Sequence, residues 1–241
     1  MVATSPTQPL RRPVTQPLIE LNEAGVFLPG RRSPALRPTD LAIGHGELVT
    51  LTGPAGSGKS TLLSVLGLLR KPTTGSYLLN GSDTATLTDR ERAALRCRLI
   101  GVVFQGPQLL LARSGLDNVM LPLLYDGMSK HMRVTAAAGA IARVGLRGRL
   151  HDIVGELPAG ERQLIAIARA IVTQPSLLLC DDPTASLDQT AAQRIIGLLV
   201  SLHKEGRTVL VATRDQLAAA HSSRRVGLGA GGAAGAQDAG R

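Results

Sequence analysis

The sequence has few aromatic residues and no long hydrophobic run. Two phenylalanines and two tyrosines are spread over 241 residues, and tryptophan is absent. Proteins that bind single-stranded nucleic acid stack bases on aromatic side chains, so this scarcity argues against that class. No apolar stretch approaches the about 20 residues of a membrane-spanning helix, and no secretory signal is recognisable. We therefore expect a protein that is soluble by itself.

Cysteine is equally scarce. Cys97 and Cys180 are far apart in the chain and lack the spacing of metal ligands. Cysteines this few and this dispersed favour a reducing, cytosolic compartment over a disulfide-bonded extracellular one.

Acidic residues are outnumbered by basic ones. Lysine and arginine total 27 against 18 aspartates and glutamates, which gives a formal net charge of +9. The basic residues are scattered, with a local concentration at 90–98 but no block of five or six. The simplest interpretation is a solvated basic surface, and an anionic membrane face or an acidic partner are the alternatives.

The chain has the length and composition of one sizeable domain with two tails. Apolar residues make up 44% of it, which suffices for a hydrophobic core. Residues 1–17 hold four prolines and no periodicity, and residues 228–241 are mainly glycine and alanine. We predict a flexible tail, a folded domain over 18–227, and a disordered C-terminal tail.

Between the tails, short apolar runs alternate with helical patterns. The predicted strands are Glu47–Thr52, Leu99–Phe104, Ser176–Cys180 and Thr208–Ala212, preceded by short strands and turns from Leu18 to Ala42. Helices are predicted after Lys59 and over Ser129–Val144, Gly160–Val172 and Thr190–His203. Continuous apolar runs are typical of strands buried on both faces, so the alternation predicts an α/β fold with a mainly parallel sheet.

One segment between a strand and a helix has a specific chemical meaning. It consists of Gly53, Pro54, Ala55, Gly56, Ser57, Gly58, Lys59, Ser60 and Thr61, and it fits the pattern G-x-x-x-x-G-K-[ST]. In this pattern backbone N–H groups bind phosphate oxygens, Lys59 reaches the β- and γ-phosphates, and the Ser60 hydroxyl binds Mg²⁺. Because the segment follows a strand and opens an apolar helix, we predict a nucleoside-triphosphate site.

A second acidic element is expected at the end of a neighbouring strand, to hold the Mg²⁺. The segment LLLCDDPTASLD supplies Asp181 at the end of an apolar strand and Asp182 directly after it. We expect Asp181 to hold the metal through water, and Asp182 to position or deprotonate the attacking water.

Taken in order, these segments resemble the nucleotide-binding subunits of ABC transporters. The resemblance extends over about 18–227 and is strongest to the branch of macrolide exporters and lipoprotein-release systems. It is carried by GPAGSGKST, RKPTTGSYLLNG, IGVVFQ, LDNVMLPLLYDGM, ERQLIAIARA and CDDPTASLD. It implies a P-loop NTPase: a RecA-like core with a mainly parallel sheet, an N-terminal antiparallel β region, and an inserted α-helical subdomain at about 106–160.

The resemblance also implies a composite site that binds ATP and Mg²⁺. Two cassettes sandwich two ATP molecules, and each site joins one chain's phosphate loop to the other chain's signature segment. Gln105 matches the glutamine that contacts the Mg²⁺ and water region and responds to the permease. Gly160 and Glu161 match signature residues that face the partner's nucleotide, and Ser186–Asp188 matches the loop that crosses the interface.

The signature segment departs from the family's pattern. The family reads L-S-G-G-Q/E where this chain has Leu157, Pro158, Ala159, Gly160 and Glu161. Pro158 lacks both the serine hydroxyl and a backbone N–H, and Ala159 adds a methyl group where close backbone approach is expected. Loss of one charge-assisted hydrogen bond costs about 1.5–3 kcal/mol of γ-phosphate binding.

Two further departures concern hydrolysis. The family normally has glutamate where this chain has Asp182, whose side chain is one methylene shorter. The family places a histidine after the strand 208–212, and this chain has Arg214, which can pair with phosphate but cannot shuttle a proton. His221 is interpreted as a surface residue. We therefore expect an ATPase whose conversion of ATP and water to ADP and phosphate is slowed by Asp182, Arg214 and Pro158.

The residue that stacks on adenine is ambiguous. Phe27 lies near the expected position, although Leu28 aligns with it. A core role for Phe27 is the alternative.

The leading functional hypothesis is the ATP-binding subunit of an ABC export complex. It is expected to lie on the cytoplasmic face of the membrane, bound to a separate integral-membrane permease and to a second ATP-binding subunit, the same or different. The alternative is an ATP-gated regulatory module that signals to a membrane partner without transport. A nucleic-acid partner is not expected, because ABC proteins of that class usually carry two fused ATPase units.

Overall fold

The computed structural model describes residues 16–30, 33–125, 127–214, 216–229 and 234–238. The predicted N-terminal tail lies almost wholly outside these residues. The strands are β1 (Ile19–Val26), β2 (Leu36–Ile43), β3 (Leu48–Thr52), β4 (Thr74–Leu79), β5 (Ser82–Asp83), β6 (Ile100–Val103), β7 (Leu177–Asp181), β8 (Thr208–Ala212), β9 (Arg224–Leu228) and β10 (Ala234–Asp238). The helices are α1 (Lys59–Leu66), α2 (Asp89–Leu99), α3 (Gly115–Met120), α4 (Lys130–Arg143), α5 (Ala159–Ile171), α6 (Gln189–Lys204) and α7 (Gln216–His221).

The strands form two sheets. An antiparallel sheet has the order β2-β1-β4-β5, and a second sheet has the order β10-β9-β3-β8-β7-β6. In the second sheet β9, β3, β8, β7 and β6 run parallel, and β10 pairs with β9 in the antiparallel sense. The predicted fold class, a mainly parallel α/β core with an N-terminal antiparallel region, is confirmed.

Both faces of the parallel sheet are covered, which explains its continuous apolar strands. In β7, Leu178 and Cys180 pack into a core shared with the helical segment, whereas Leu177 and Leu179 pack against α1 and the antiparallel sheet. Successive side chains of a strand point to opposite faces, so each strand contributes to both cores. All four side chains are fully buried.

The segment between β6 and α5 is helical. It contains α3, α4 and three short 3₁₀ turns at 121–125, 147–149 and 154–156. Ser114 and Ser129 accept hydrogen bonds from backbone N–H groups at the starts of α3 and α4, which fixes where these helices begin. The predicted bounds of this subdomain, 106–160, stay a prediction.

Most predicted elements lie within one or two residues of the observed ones, whereas several observed elements were not predicted. Helix α2 was not predicted, although Thr88 and Glu91 form a reciprocal capping box at its start. Strand β9 was not predicted either. The predicted disordered C-terminal tail over 228–241 stays a prediction; within it the backbone of Ala234–Asp238 pairs with β9 as strand β10.

No helix within the described part of the chain is both long enough and apolar enough to cross a membrane.

Candidate nucleotide-binding site

Four predicted site segments follow neighbouring strands of the parallel sheet. The phosphate loop follows β3, Arg214 follows β8, Asp181 ends β7, and Gln105 follows β6. The register pairs Ala212 with Leu51 on one side and with Asp181 on the other. Because parallel strands point in one direction, these segments meet at the carboxyl edge of the sheet, where α/β proteins bind ligands.

Two glycines give the phosphate loop its shape. Gly53 and Gly58 have φ angles of 149° and 97°. A Cβ at Gly58 would lie 2.9 Å from the carbonyl oxygen of Ala35, and one at Gly53 would collide with the carbonyl oxygen of Leu228. The loop is therefore packed against the antiparallel sheet and against β9, which holds its backbone in place.

The loop leads directly into α1, and Lys59 is the first residue of that helix. The N-cap is Gly58, which offers no side-chain acceptor. The N–H groups of Lys59, Ser60 and Thr61 have no acceptor within the helix and are available to an anion. The Lys59 ammonium donates hydrogen bonds to the carbonyl oxygens of Gly53 at 2.7 Å and Pro54 at 3.0 Å, so its charge is held over the loop.

Charged groups from two strand ends interact with Lys59. Burial lowers the pKa of Lys59, the charge of Arg214 lowers it further, and Asp181 and Asp182 oppose this effect. The two cations and two carboxylates are therefore within electrostatic reach of one another. Positive groups beside the loop favour phosphate, and the carboxylates provide an adjacent place for a cation.

Asp182 has a constrained backbone and a bound carboxylate. Its φ is 46°, in the left-handed region that aspartate tolerates better than most residues. Its N–H donates to the carbonyl oxygen of Ala212 at 2.7 Å, and its Oδ1 accepts a hydrogen bond from the hydroxyl of Thr213 at 3.0 Å. One oxygen of the predicted water-positioning carboxylate is thus already bound within the chain.

These residues fit a nucleoside triphosphate bound with a divalent cation. The glycine-lined loop and the start of α1 suit phosphate oxygens, whereas the Ser60 hydroxyl and the Asp181 carboxylate are oxygen ligands of the kind Mg²⁺ prefers. Within the described residues no three His, Cys, Asp or Glu side chains cluster closely enough to hold a metal. Because the protein supplies few ligands here, the site suits a cation whose remaining ligands are phosphate oxygens.

Gln105 borders a cavity of about 530 Å³ that also includes Asp182 and Ser186. The cavity therefore joins the segment after β6 to the loop after β7. The guanidinium of Arg169, on α5, donates to the carbonyl oxygens of Gln108 at 2.9 Å and Pro107 at 3.2 Å. These bonds fix the segment that follows Gln105 to the helix that follows the signature segment.

The signature segment forms the start of α5, as its helical pattern predicts. Pro158 is the N-cap and provides no side-chain hydrogen bond. Glu161 forms an ion pair with Arg149, with Nε and Oε2 3.2 Å apart, so within the chain its carboxylate contacts the helical segment. Pro158, Gly160 and Glu161 border a cavity of about 440 Å³ whose lining contains no residue of the phosphate loop.

Phe27 is not a core residue, because it is 47% exposed. It directly follows Val26, whose carbonyl oxygen accepts a hydrogen bond from Ala35 at 2.8 Å. The carbonyl oxygen of Ala35 in turn lies 2.9 Å from the position that a Cβ of Gly58 would occupy. Phe27 is thus near the strand that supports the phosphate loop, and its stacking on adenine stays a prediction.

Three residues of this region were missed by sequence reasoning. They are Thr213 beside Asp182, Arg169 behind the Gln105 segment, and Arg149 beside Glu161. Thr213 had a recognisable signal, since it is a polar residue directly after a buried strand and next to Arg214. The two arginines act across tertiary contacts and had no local signal.

Comparison with known proteins decides the family. The family model described as ABC transporter matches residues 36–185. The chain belongs to the ABC transporter family. The ABC transporter ATP-binding protein YknY of Bacillus subtilis is 43% identical over 180 residues, which cover 75% of this cassette and 78% of YknY.

The resemblance of this ABC cassette to macrolide exporters is also confirmed. The macrolide export ATP-binding/permease protein MacB of Hyphomonas neptunium is 39% identical over 214 residues, which cover 88% of the cassette and 33% of MacB. The cassette therefore spans about a third of the length of this relative. The dimeric ATP-binding cassette MJ0796, in a post-hydrolysis state bound to ADP and Pi, superposes with a TM-score of 0.85 at 32% identity, covering 92% of this chain and 99% of MJ0796.

Proposed function

We propose that the chain is the ATP-binding subunit of an export-type ABC transporter and couples ATP binding and slow hydrolysis to an integral-membrane permease. The observation that carries the proposal is the meeting of the phosphate loop, Asp181, Gln105 and Arg214 at one sheet edge. The likeness to a protein named for macrolide export, and to a cassette solved with ADP and Pi, supports it.

In this proposal the triphosphate binds along the loop Gly53–Thr61. Loop N–H groups and Lys59 bind its phosphate oxygens, and Phe27 stacks on the base. Ser60, Gln105 and Asp181 hold Mg²⁺, which neutralises phosphate charge when bound. Arg214 contacts the γ-phosphate as a second cation.

Hydrolysis is proposed to be slow because of the geometry around Asp182. Its carboxylate is one methylene shorter than glutamate, which is about 1.5 Å of reach. Its Oδ1 is also bound by the Thr213 hydroxyl, which leaves one oxygen to orient water. A misplacement of about 1 Å costs on the order of 100-fold in rate.

A second ATP-binding subunit completes the site in this proposal. Pro158, Gly160 and Glu161 border a cavity without phosphate-loop residues, so they are positioned to face another chain's nucleotide. The dimeric state of MJ0796 supports this arrangement. The second subunit is either a copy of this chain or a related cassette, and the complex is proposed to lie on the cytoplasmic face of the membrane through its permease.

The second candidate function is an ATP-gated regulatory module that signals to a membrane partner without transport. The hydrogen bond between Thr213 and Asp182 favours this function, because in this proposal it slows hydrolysis. A site that hydrolyses ATP slowly stays closed around the nucleotide for longer. Transport of a cargo by the reconstituted complex distinguishes the two functions, since the regulatory module moves none.

The test is phosphate release by the purified full-length chain with ATP and Mg²⁺. We expect slow turnover that Asp182→Asn reduces further and Lys59→Ala abolishes. Absence of binding and turnover in the wild type contradicts the proposal. Fast wild-type turnover, typical of an efficient ATPase, contradicts the part that concerns slow hydrolysis.

A further inference from the structure

The start of α5 combines unsatisfied backbone donors with a carboxylate. Pro158 is the N-cap and gives no side-chain hydrogen bond, so the N–H groups of Ala159 and Gly160 have no acceptor within the helix. Glu161 is the acidic residue of the first turn. A glutamate at this position commonly turns back to the backbone N–H of the N-cap residue, but proline has no N–H. The Glu161 carboxylate therefore lacks its usual partner within the helix.

Arg149, from the helical segment, takes the place of that partner. Its Nε lies 3.2 Å from Oε2 of Glu161, and its Nη1 donates a hydrogen bond to Oδ2 of Asp152 at 2.9 Å. Within the described residues Oε2 of Glu161 is shielded from solvent and accepts no hydrogen bond, so the guanidinium charge is what stabilises it. The hydrogen bond to Asp152, and next the charge of Glu161, raise the pKa of Arg149. Asp152 thus orients a guanidinium whose Nε is directed at Glu161.

The backbone around Arg149 is fixed to the start of α3. The N–H groups of Gly115 and Leu116 donate to the carbonyl oxygens of Asp152 at 3.1 Å and of Leu150 at 2.8 Å. The guanidinium therefore approaches α5 from a held backbone. Less entropy is lost when this pair forms than when two flexible surface side chains meet.

The cavity of about 440 Å³ at the start of α5 has more negative than positive groups. Among the described residues of its lining, Glu161 and Asp188 are acidic and Arg194 is basic. The Asp188 carboxylate caps α6 by accepting a hydrogen bond from the N–H of Ala191 at 2.8 Å. The Arg194 guanidinium donates to two carbonyl oxygens directly after α4, at 3.2 and 3.1 Å. Compensation of the Glu161 charge therefore comes from outside the lining, from Arg149.

We propose that Arg149 is a positioning residue that holds the Glu161 carboxylate and offsets its charge, so that the start of α5 accepts the γ-phosphate carried by a second copy of this chain. This inference rests on the proposed function, in which the signature segment faces another chain's nucleotide. Arg149 acts through Glu161 and does not itself contact phosphate. Without Arg149 the carboxylate repels the phosphate and competes with it for the positive end of the helix.

The test is self-association of the full-length chain, measured by sedimentation velocity. The nucleotide is the β,γ-imido analogue of ATP with Mg²⁺, which is not hydrolysed, and ADP is the control that lacks a γ-phosphate. The variants are Arg149→Ala and Arg149→Lys, each also made in a Glu161→Gln background. Arg147→Ala is the matched control, because it removes the same charge from the same 3₁₀ turn. Circular dichroism checks the fold of every variant.

We expect Arg149→Ala to weaken association in the presence of the analogue by about fivefold at each site, and so by about 25-fold for a symmetric dimer with two sites. Arg149→Lys keeps the charge and should retain most of the association, and Arg147→Ala should match the wild type. The loss caused by Arg149→Ala should shrink when NaCl is raised from about 0.1 M to about 0.5 M, because salt screens the repulsion.

The Glu161→Gln background separates a charge effect from a structural one. With no carboxylate left to compensate, Arg149→Ala should cause no further loss there. A residue that only supports the fold of the helical segment would cause the same loss in both backgrounds.

The proposal is overturned if folded Arg149→Ala associates as tightly as the wild type, or if its loss persists in the Glu161→Gln background. An equal loss in Arg147→Ala or in Arg149→Lys overturns it as well. Binding of the analogue by the single chain is measured in parallel. A wild-type chain that binds the analogue but does not self-associate refutes this inference, whereas a chain that binds no nucleotide refutes the proposed function.

Discussion

Lengthening the side chain of Asp182 tests the explanation of slow hydrolysis. Asp182→Glu extends the carboxylate by one methylene, about 1.5 Å, and removes it from the hydroxyl of Thr213. If that reach limits the reaction, a correction of about 1 Å restores up to about 100-fold in rate. We therefore expect turnover at saturating ATP and Mg²⁺ to rise by about 10- to 100-fold.

The same substitution is expected to lower stability slightly. Asp182 has a φ of 46°, and a longer side chain is less tolerant of that left-handed backbone than aspartate. A cost of about 1 kcal/mol lowers the melting temperature of a domain of this size by about 2–4 °C. Higher turnover combined with lower stability is a signature that a general improvement in folding does not produce.

The assay is steady-state phosphate release, with Lys59→Ala combined with Asp182→Glu as the control for contaminating ATPase. It is repeated in the background Pro158→Ser with Ala159→Gly, which restores the family's signature. Unchanged turnover in both backgrounds, with the fold and ATP binding retained, refutes the reasoning about Asp182.

Three further predictions concern the loop, the second cation and alkaline stability. Gly58→Ala and Gly56→Ala both place alanine at a positive φ, 97° and 76°, but only the Gly58 Cβ would crowd a carbonyl, 2.9 Å from the Ala35 oxygen, whereas the Gly56 Cβ meets nothing within 4 Å. Gly58→Ala should therefore destabilise the chain by about 1–3 kcal/mol more than Gly56→Ala, and thermal unfolding of the two variants decides this. Arg214→Ala should reduce the preference for ATP over ADP by about tenfold, because a charge-assisted contact with the γ-phosphate is lost, and competition titrations would refute this by showing an unchanged ratio. Burial raises the pKa of the Cys180 thiol above its usual 9.0, with Asp181 adding to the effect, so the folded thiol stays protonated while the unfolded thiol ionises. The free energy of unfolding should therefore fall as pH rises above 9.0, by up to about 1.4 kcal/mol per pH unit from this group, and Cys180→Ala should flatten the decline in urea titrations between about pH 8 and about pH 10.

Elements with a strong side-chain pattern were predictable from the sequence. Strand β8 was predicted with its observed bounds, because five consecutive residues are buried and the strand has neighbours on both sides. Helix α2 was missed because it is polar on most of its surface, and its evidence was the cap formed by Thr88 and Glu91. Strand β10 was missed because glycine and alanine carry no pattern, and its pairing with β9 uses backbone groups.

The candidate site likewise has a part that the sequence predicts and a part that it does not. The phosphate loop is contiguous in sequence, and its glycines and lysine are recognisable wherever the fold places them. The hydrogen bond from Thr213 to Asp182 and the ion pair between Arg149 and Glu161 join residues that only the tertiary structure brings together. Such contacts depend on packing, and no local pattern of residues specifies them.

Equilibrium binding of ATP tests the central claim most directly. A fluorescent ATP analogue is titrated into the full-length chain with Mg²⁺ and displaced by unlabelled ATP, in parallel with Lys59→Ala. We predict saturable binding by the wild type and binding about 10- to 100-fold weaker in the variant, which loses a charge-assisted contact. No displaceable binding by the folded wild type, or equal binding by both proteins, would contradict the account.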